Sequence, residues 1–221
     1  MFRLSFRILA IVPVVFTLAC NVVTATVEIP DPAVDAPLAA TKGEETAIVA
    51  GGCFWGIEAV FEHVKGVIEA ESGYCGGTAA TARYETVSSG RTGHAESVRI
   101  KYDPSQISFG QLLKVFFSVA HDPTEVNQQG PDHGTQYRSA IFCVNEDQQR
   151  IARSYIDQLN NAKVFRRPIA TEVASGKIFY QAEDYHQNYV VHHPTQPYIV
   201  AYDLPKVADL RKQFPNLYVK R

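Results

Sequence analysis

Residues 46–66, TAIVAGGCFWGIEAVFEHVKG, hold a strand, a turn and a helix in immediate succession. Thr46 to Ala50 is a short apolar run stopped by Gly51-Gly52, the pattern of a buried strand entering a turn. Phe54, Ile57, Val60, Phe61 and Val64 then recur at helical spacing, and Gly66 stands where a helix C-terminal cap belongs. Cys53 falls at the junction between the two elements.

Outward from this unit, Val67 to Tyr74 reads as a second strand with Ile68, Ala70, Ser72 and Tyr74 on one face. Ala95 to Tyr102 reads as a third, with Val98, Ile100 and Tyr102 inward and Arg99 and Lys101 outward. Ser108 is placed to cap a helix carrying the stripe Phe109, Leu112, Leu113, Phe116, Phe117 and Ala120. Ser139 to Val144 is a fourth strand, and Asn145 with Gln148 forms a capping box for a helix bearing Ile151, Tyr155, Ile156 and Leu159. The order β-α-β-β-α-β, then a helix, predicts an α+β fold: a ferredoxin-like two-layer sandwich with a mainly antiparallel sheet. Such a fold hosts many functions, so function must come from the site.

The chain has 221 residues, 46% of them hydrophobic, enough for one sizeable core, assigned to 46–221 as a single catalytic domain. Arg3 and Arg7, the apolar run Ile8 to Ala19, and Val23-Thr24-Ala25 have the layout of a signal peptide over 1–25. Export to the periplasm or beyond the cell follows. The apolar run is shorter than the roughly 20 residues a spanning helix needs. Leu18-Ala19-Cys20 is a weaker hint of a lipid anchor on Cys20. Residues 26–45, rich in Pro, Ala and acid, read as a flexible linker. Removing 1–25 leaves 19 basic against 23 acidic residues, a net charge of −4, and no basic stripe of the kind that binds nucleic acid. Three cysteines then remain, Cys53, Cys75 and Cys143, so at least one thiol is unpaired within the chain.

Cys53 is the thiol whose setting favours chemistry: a helix start lowers a thiol pKa, and the flanking Gly51-Gly52 and Gly56 leave it open to approach. Trp55 lies off the apolar stripe, which suits the wall of a ligand pocket better than the core. Glu96 shares the parity of Val98, Ile100 and Tyr102, so its carboxyl points inward, where its pKa rises and it can hold a proton at neutral pH. The long loop from His121 to Gln136 brings Asp132, Gln136 and Tyr137 along together.

Several blocks then occur in order: Gly52-Cys53-Phe54-Trp55-Gly56, Gly73-Tyr74 with Gly76-Gly77, Tyr84, Gly93-His94-Ala95-Glu96, His121-Asp122-Pro123, Asp132 to Ser139, and Ala182-Glu183-Asp184-Tyr185-His186-Gln187. From about Thr46 to Tyr189 the chain resembles the peptide-methionine (S)-S-oxide reductases, the MsrA family. The resemblance implies that Cys53 is the nucleophile, that Phe54 and Trp55 hold the sulfoxide methyl group, and that Glu96, Tyr84 and Tyr137 bind and protonate the sulfoxide oxygen. Asp132 then supports the site and its water. It implies reduction of the S epimer of free or protein-bound methionine sulfoxide, a repair of oxidised proteins, through a sulfenic acid on Cys53, with no metal and no cofactor. A monomer recycled by a thioredoxin-like, glutaredoxin-like or small-thiol reductant is expected. Many members carry resolving cysteines in the C-terminal tail; between Val144 and Arg221 this chain has none. Cys75, in a glycine-flanked turn, is the internal candidate for that task, and an external thiol is the favoured alternative.

Two other readings compete. A thiol hydrolase or acyltransferase would pair Cys53 with His94, His121 or His186 as base, and a binding module on the same fold would tolerate loss of Cys53. A zinc site lacks support, since no Cys-x-x-Cys is present.

Overall fold

The computed structural model describes residues 29–221, so the expected signal peptide at 1–25 and Cys20 lie outside the described residues. In chain order the strands are β1 (Glu45–Ala50), β2 (Val67–Cys75), β3 (Ala95–Tyr102), β4 (Gln128–Gln129), β5 (Asp132–His133), β6 (Ala140–Cys143), β7 (Glu172–Ser175) and β8 (Phe179–Gln181). The α-helices are α1 (Phe54–Glu62), α2 (Tyr84–Val87), α3 (Phe109–Val115), α4 (Glu146–Asn161), α5 (Tyr189–His192) and α6 (Leu204–Gln213). β4 and β5 form a small hairpin inside the 121–136 loop; the other six strands make one sheet in the order β7-β6-β1-β3-β2-β8.

The sheet is mixed, which corrects the four-stranded ferredoxin-like expectation. β6-β1-β3-β2 are antiparallel neighbours, as is β8 on β2, but β7 runs parallel to β6. The parallel pair exists because α4 carries the chain back across the sheet, the connection that parallel neighbours require. Both added edges come from 172–181, two strands of four and three residues flanking Gly176, too short for a periodicity to be read from sequence.

One face of the sheet is covered by helices. Phe54, Ile57, Val60 and Phe61 of α1, the α3 stripe, and Ile151, Tyr155 and Leu159 of α4 bury together with Val49, Tyr74, Val98 and Ile100. The opposite face holds a smaller cluster of Ile48, Ala50, Cys75, Ala95, Ala140 and Phe142, and beyond it Arg99 pairs with Glu71 at 2.7 Å. A one-sided sheet of this kind suits antiparallel strands. Ile68 departs from its expected inward position: a bulge between Val67 and Glu69 turns it out, 42% exposed, while Val67 takes the buried place.

The described part of the 26–45 segment is not a free linker but a strap. Ile29 is buried in the core, the Pro30 carbonyl accepts from the Tyr155 hydroxyl at 2.7 Å, and Asp35 accepts from Ser108 Oγ at 2.5 Å and from the Gly110 amide at 2.8 Å. Its Pro-rich sequence gives no periodicity because it is held by side-chain and backbone hydrogen bonds rather than by an apolar face.

Ser108 also forms the full capping box with Gln111. Ser108→Ala removes both the cap and the donor to Asp35. We expect a loss of about 1 kcal/mol or somewhat more from N-cap energetics, read as a lowered midpoint in urea unfolding; an unmoved midpoint would show that box and strap contribute nothing.

Candidate active site

Cys53 sits immediately before α1, with 8% of its surface exposed. The turn into it needs Gly52, whose φ is +103° and where a Cβ would fall 2.6 Å from Gln129 Cγ of the 121–136 loop. That loop therefore packs directly on the elbow that presents the thiol. One residue on, the Phe54 amide, an N–H that α1 itself leaves unpaired, donates to Glu96 Oε2 at 3.2 Å. Glu96 is 2% exposed, so the inward parity read from the sequence describes its position correctly.

Burial pushes the Glu96 carboxyl up to about 8, with the Asp132 charge adding to the rise and the Phe54 amide opposing it. Cys53 departs from expectation. Burial raises its pKa well above the ordinary thiol value, and Glu96 and Asp203 raise it further. The Trp55 amide and Lys206 act the other way. The helix start does favour the thiolate, as anticipated, but desolvation and two carboxyls outweigh it. Glu96 contributes only when ionised, so below about pH 8, where it keeps its proton, that part of the opposition fades.

Tyr84, Tyr137 and Asp132 join the same neighbourhood. The hydroxyls of Tyr84 and Tyr137 are held protonated, by burial first and then by Glu96, Cys53 and Asp132. Arg138 fixes the Tyr137 loop to the entry of β3, donating to the Thr135, His94 and Gly93 carbonyls at 2.9, 3.2 and 3.0 Å. Phe54 is fully buried, its ring 5.9 Å from that of Tyr74 and 5.0 Å from that of His186. Trp55 is half-buried, stacked on Tyr189 at 3.8 Å with Tyr198 edge-on at 6.1 Å. It lines an aromatic wall, off the α1 core stripe.

The sequence reading gave no role in this site to Glu183, Tyr189, Tyr198, Asp203 or Lys206, and gave one to His186 only as the base of the rival hydrolase. Trp55 Nε1 donates to His186 Nδ1 at 3.2 Å. Glu183 accepts from the Tyr74 hydroxyl at 2.8 Å and the Tyr84 amide at 3.0 Å. Burial alone would raise the Glu183 carboxyl, but these donors outweigh it and hold it below its usual range. Tyr198 donates to Asp132, and Asp203 and Lys206 approach α1 at Gly56. Glu183 and His186 stood in a recognisable block, whereas Tyr198, Asp203 and Lys206 carry no local signal.

Cys75 faces away from the site. Tyr74, its neighbour in β2, points to the helix-covered face with Cys53, so Cys75 points to the other, among Ile48, Ala50, Ala95, Ala140 and Phe142. Cys143 lies at the far end of β6, three residues beyond the Ala50–Ala140 pairing that adjoins the Cys53 elbow.

The family model for peptide methionine sulfoxide reductase matches residues 45–217. The chain belongs to that family. It is similar to peptide methionine sulfoxide reductase MsrA 2 of Mesorhizobium japonicum, with 61% identity over 82% of this chain and 93% of that protein. Another relative is MsrA 2 of a Synechocystis species, with 55% identity over 85% and 89%. Among solved structures, methionine sulfoxide reductase A of Corynebacterium diphtheriae superposes with a TM-score of 0.59 at 36% identity, covering 71% of this chain and 78% of that one. The reduced form of Mxr1 from Saccharomyces cerevisiae gives 0.63 at 30% identity, covering 74% and 92%. The family are oxidoreductases that reduce methionine sulfoxide.

A carboxyl held up to about 8 in the folded chain, against 4.5 when solvated, makes stability fall as pH rises between those values, because the unfolded chain releases the proton first. Glu96→Gln cannot ionise and loses this slope. Its urea midpoint should equal or trail wild type near pH 4.5 and overtake it towards pH 8. A constant difference between the two proteins across that window would place the Glu96 proton elsewhere.

Proposed function

We propose that this chain reduces the S epimer of methionine sulfoxide, free or within oxidised proteins, using Cys53 as nucleophile and Glu96 as proton donor. One observation carries the reading: the thiol at the start of α1 and a carboxyl that burial keeps protonated are joined through the Phe54 amide. Trp55, with Tyr189 stacked on it, offers an apolar wall for the methyl group, while Tyr84 and Tyr137 supply hydroxyl donors near the carboxyl.

The sulfur of Cys53 attacks the sulfoxide sulfur as Glu96 protonates the oxygen, a division of labour between nucleophile and acid. In net terms one sulfoxide and one thiol become methionine and a sulfenic acid on Cys53. Two reducing thiols then return Cys53, with a disulfide and water as products. Cys75 lies on the other face of the sheet, which supports an external thioredoxin-like, glutaredoxin-like or small-thiol reductant. The layout of residues 1–25 supports export before this work is done.

The thiol-hydrolase alternative finds no base. His94 is engaged by the Gly77 amide and the Thr78 carbonyl, and His121 by the Phe116 carbonyl and the Ser139 hydroxyl. The Nδ1 of His186 accepts from Trp55. Burial lowers the His121 pKa to about 3.

With dithiothreitol and both epimers, the S form should be consumed and the R form left nearly untouched. Cys53→Ser should abolish turnover, and Glu96→Gln should bind substrate but turn over about 10²- to 10⁴-fold more slowly, the usual worth of a general acid. Equal consumption of the epimers, or full activity without Cys53, would sink the assignment.

Recycling is tested by one equivalent of substrate without reductant, followed by a thiol count by mass spectrometry. Loss of one thiol, with Cys53 captured by a sulfenic-acid reagent, is the expected result. A linked Cys53–Cys75 peptide would overturn external recycling.

A further inference from the structure

Asp203, the residue that precedes α6, is fully buried. It ends the π-helical turn Ile199–Asp203 that runs directly into α6, so its side chain has no helix cap to make and makes none. One oxygen, Oδ1, accepts from Lys206 Nζ at 3.3 Å; the other, Oδ2, has no partner among the described residues. A buried, half-satisfied carboxyl costs stability and calls for a reason. The pair lies against the first turn of α1, in the space that Gly56 leaves: a Cβ there would collide with Asp203 Oδ1 and fall 2.8 Å from Lys206 Nζ.

We propose that Asp203 and Lys206 form a positioning charge pair against the first turn of α1 that sets the ionisation of Cys53, Asp203 opposing the thiolate and Lys206 favouring it. The proposal rests on Cys53 being the reacting thiol. Both residues act on that sulfur in the stated senses. The other titratable groups facing it are Glu96 of β3, Tyr84 of α2, Tyr137 of the loop and Tyr198 of the C-terminal segment. The three tyrosines are held protonated and carry no charge. Glu96 remains to oppose the thiolate alongside Asp203, and within this group Lys206 is the one cation. Asp132 adds to the Asp203 carboxyl's own upward shift, behind burial, while Lys206 lowers it. Lys206 also bears on His121, which is neutral.

The test reads the thiol directly, without methionine sulfoxide, so its failure is separable from failure of the reductase reading. Rates of iodoacetamide alkylation at Cys53 are followed by peptide mass spectrometry between pH 7 and pH 10, below the raised thiol midpoint, where the rate follows the thiolate fraction and a shifted midpoint shows as a changed rate. Asp203→Asn should shift the ionisation midpoint down and speed alkylation at fixed pH; Lys206→Gln should shift it up and slow alkylation; Lys206→Arg should restore the wild-type profile. Changes of about three- to tenfold are expected, a full pKa unit being tenfold in thiolate fraction. Loss of packing alone would move both variants the same way. Shifts of one sign in the two variants, or rates within roughly twofold of wild type, overturn the proposal. Should Asp203→Asn fail to fold, the contrast of Lys206→Gln with Lys206→Arg decides it, since the Lys206 side chain is 19% exposed and outside the core.

Discussion

The hydrogen bond from the Phe54 amide to Glu96 joins the helix layer to the sheet at the one place where chemistry is proposed. A helix start leaves amides without partners, and a buried carboxyl needs donors; each satisfies the other. Everything nearby keeps that contact in register. Gly52 makes the elbow that brings the α1 amide over β3, the 121–136 loop packs on the elbow through Gln129, and Arg138 ties the loop's end to the residues just before Glu96.

A second constraint closes the site from the C-terminal side. Glu183 binds both the Tyr74 hydroxyl and the Tyr84 amide, so one carboxylate locks the end of β2 to the start of α2. Glu58 of α1 does the same for the chain that follows, accepting from Ser72 Oγ at 2.8 Å and from the Asn188 amide at 3.1 Å. Its carboxyl is raised to about 7 by burial, with those donors opposing. These two glutamates hold the segment that supplies His186 and Tyr189 to the aromatic wall. A polar cluster that is nearly all satisfied can specify one arrangement of aromatic side chains where apolar packing alone would tolerate several.

The legible part of the sequence was the part governed by periodicity and capping. The strand–turn–helix at 46–66, the inward face of β3 and the Ser108 capping box all follow from spacing, because each residue's role depends on neighbours a few positions away. Glu96 was legible for the same reason, sharing parity with Val98, Ile100 and Tyr102. The misplaced features depend on distant partners. Ile68 turns out at a bulge no pattern marks, β7 and β8 exist only because β6 and β2 offer them edges, and the strap at 29–44 is held by Ser108, Tyr155 and Gln158. The Cys53 pKa was misjudged because the helix start is visible locally, while the burial and the Asp203 carboxyl that outweigh it come from elsewhere in the chain.

The resting site holds two protons that matter, one on the Cys53 thiol and one on Glu96, both kept there chiefly by desolvation. For a thiol that must act as a nucleophile this looks unfavourable, since only the thiolate attacks. The proposed reaction resolves the difficulty. In the proposed reaction the sulfoxide oxygen leaves as water with both protons, and the water that then forms the sulfenic acid on Cys53 gives one back to Glu96, so the net step moves only the thiol proton. A sulfoxide oxygen placed between the two groups can accept from the carboxyl while the thiol proton follows, so the nucleophile is generated as the leaving group forms. Without substrate the same burial leaves the sulfur protonated, and a protonated sulfur is a weak nucleophile toward other oxidants. Desolvation therefore both silences the resting cysteine and holds on Glu96 the proton that its proposed reaction borrows and returns.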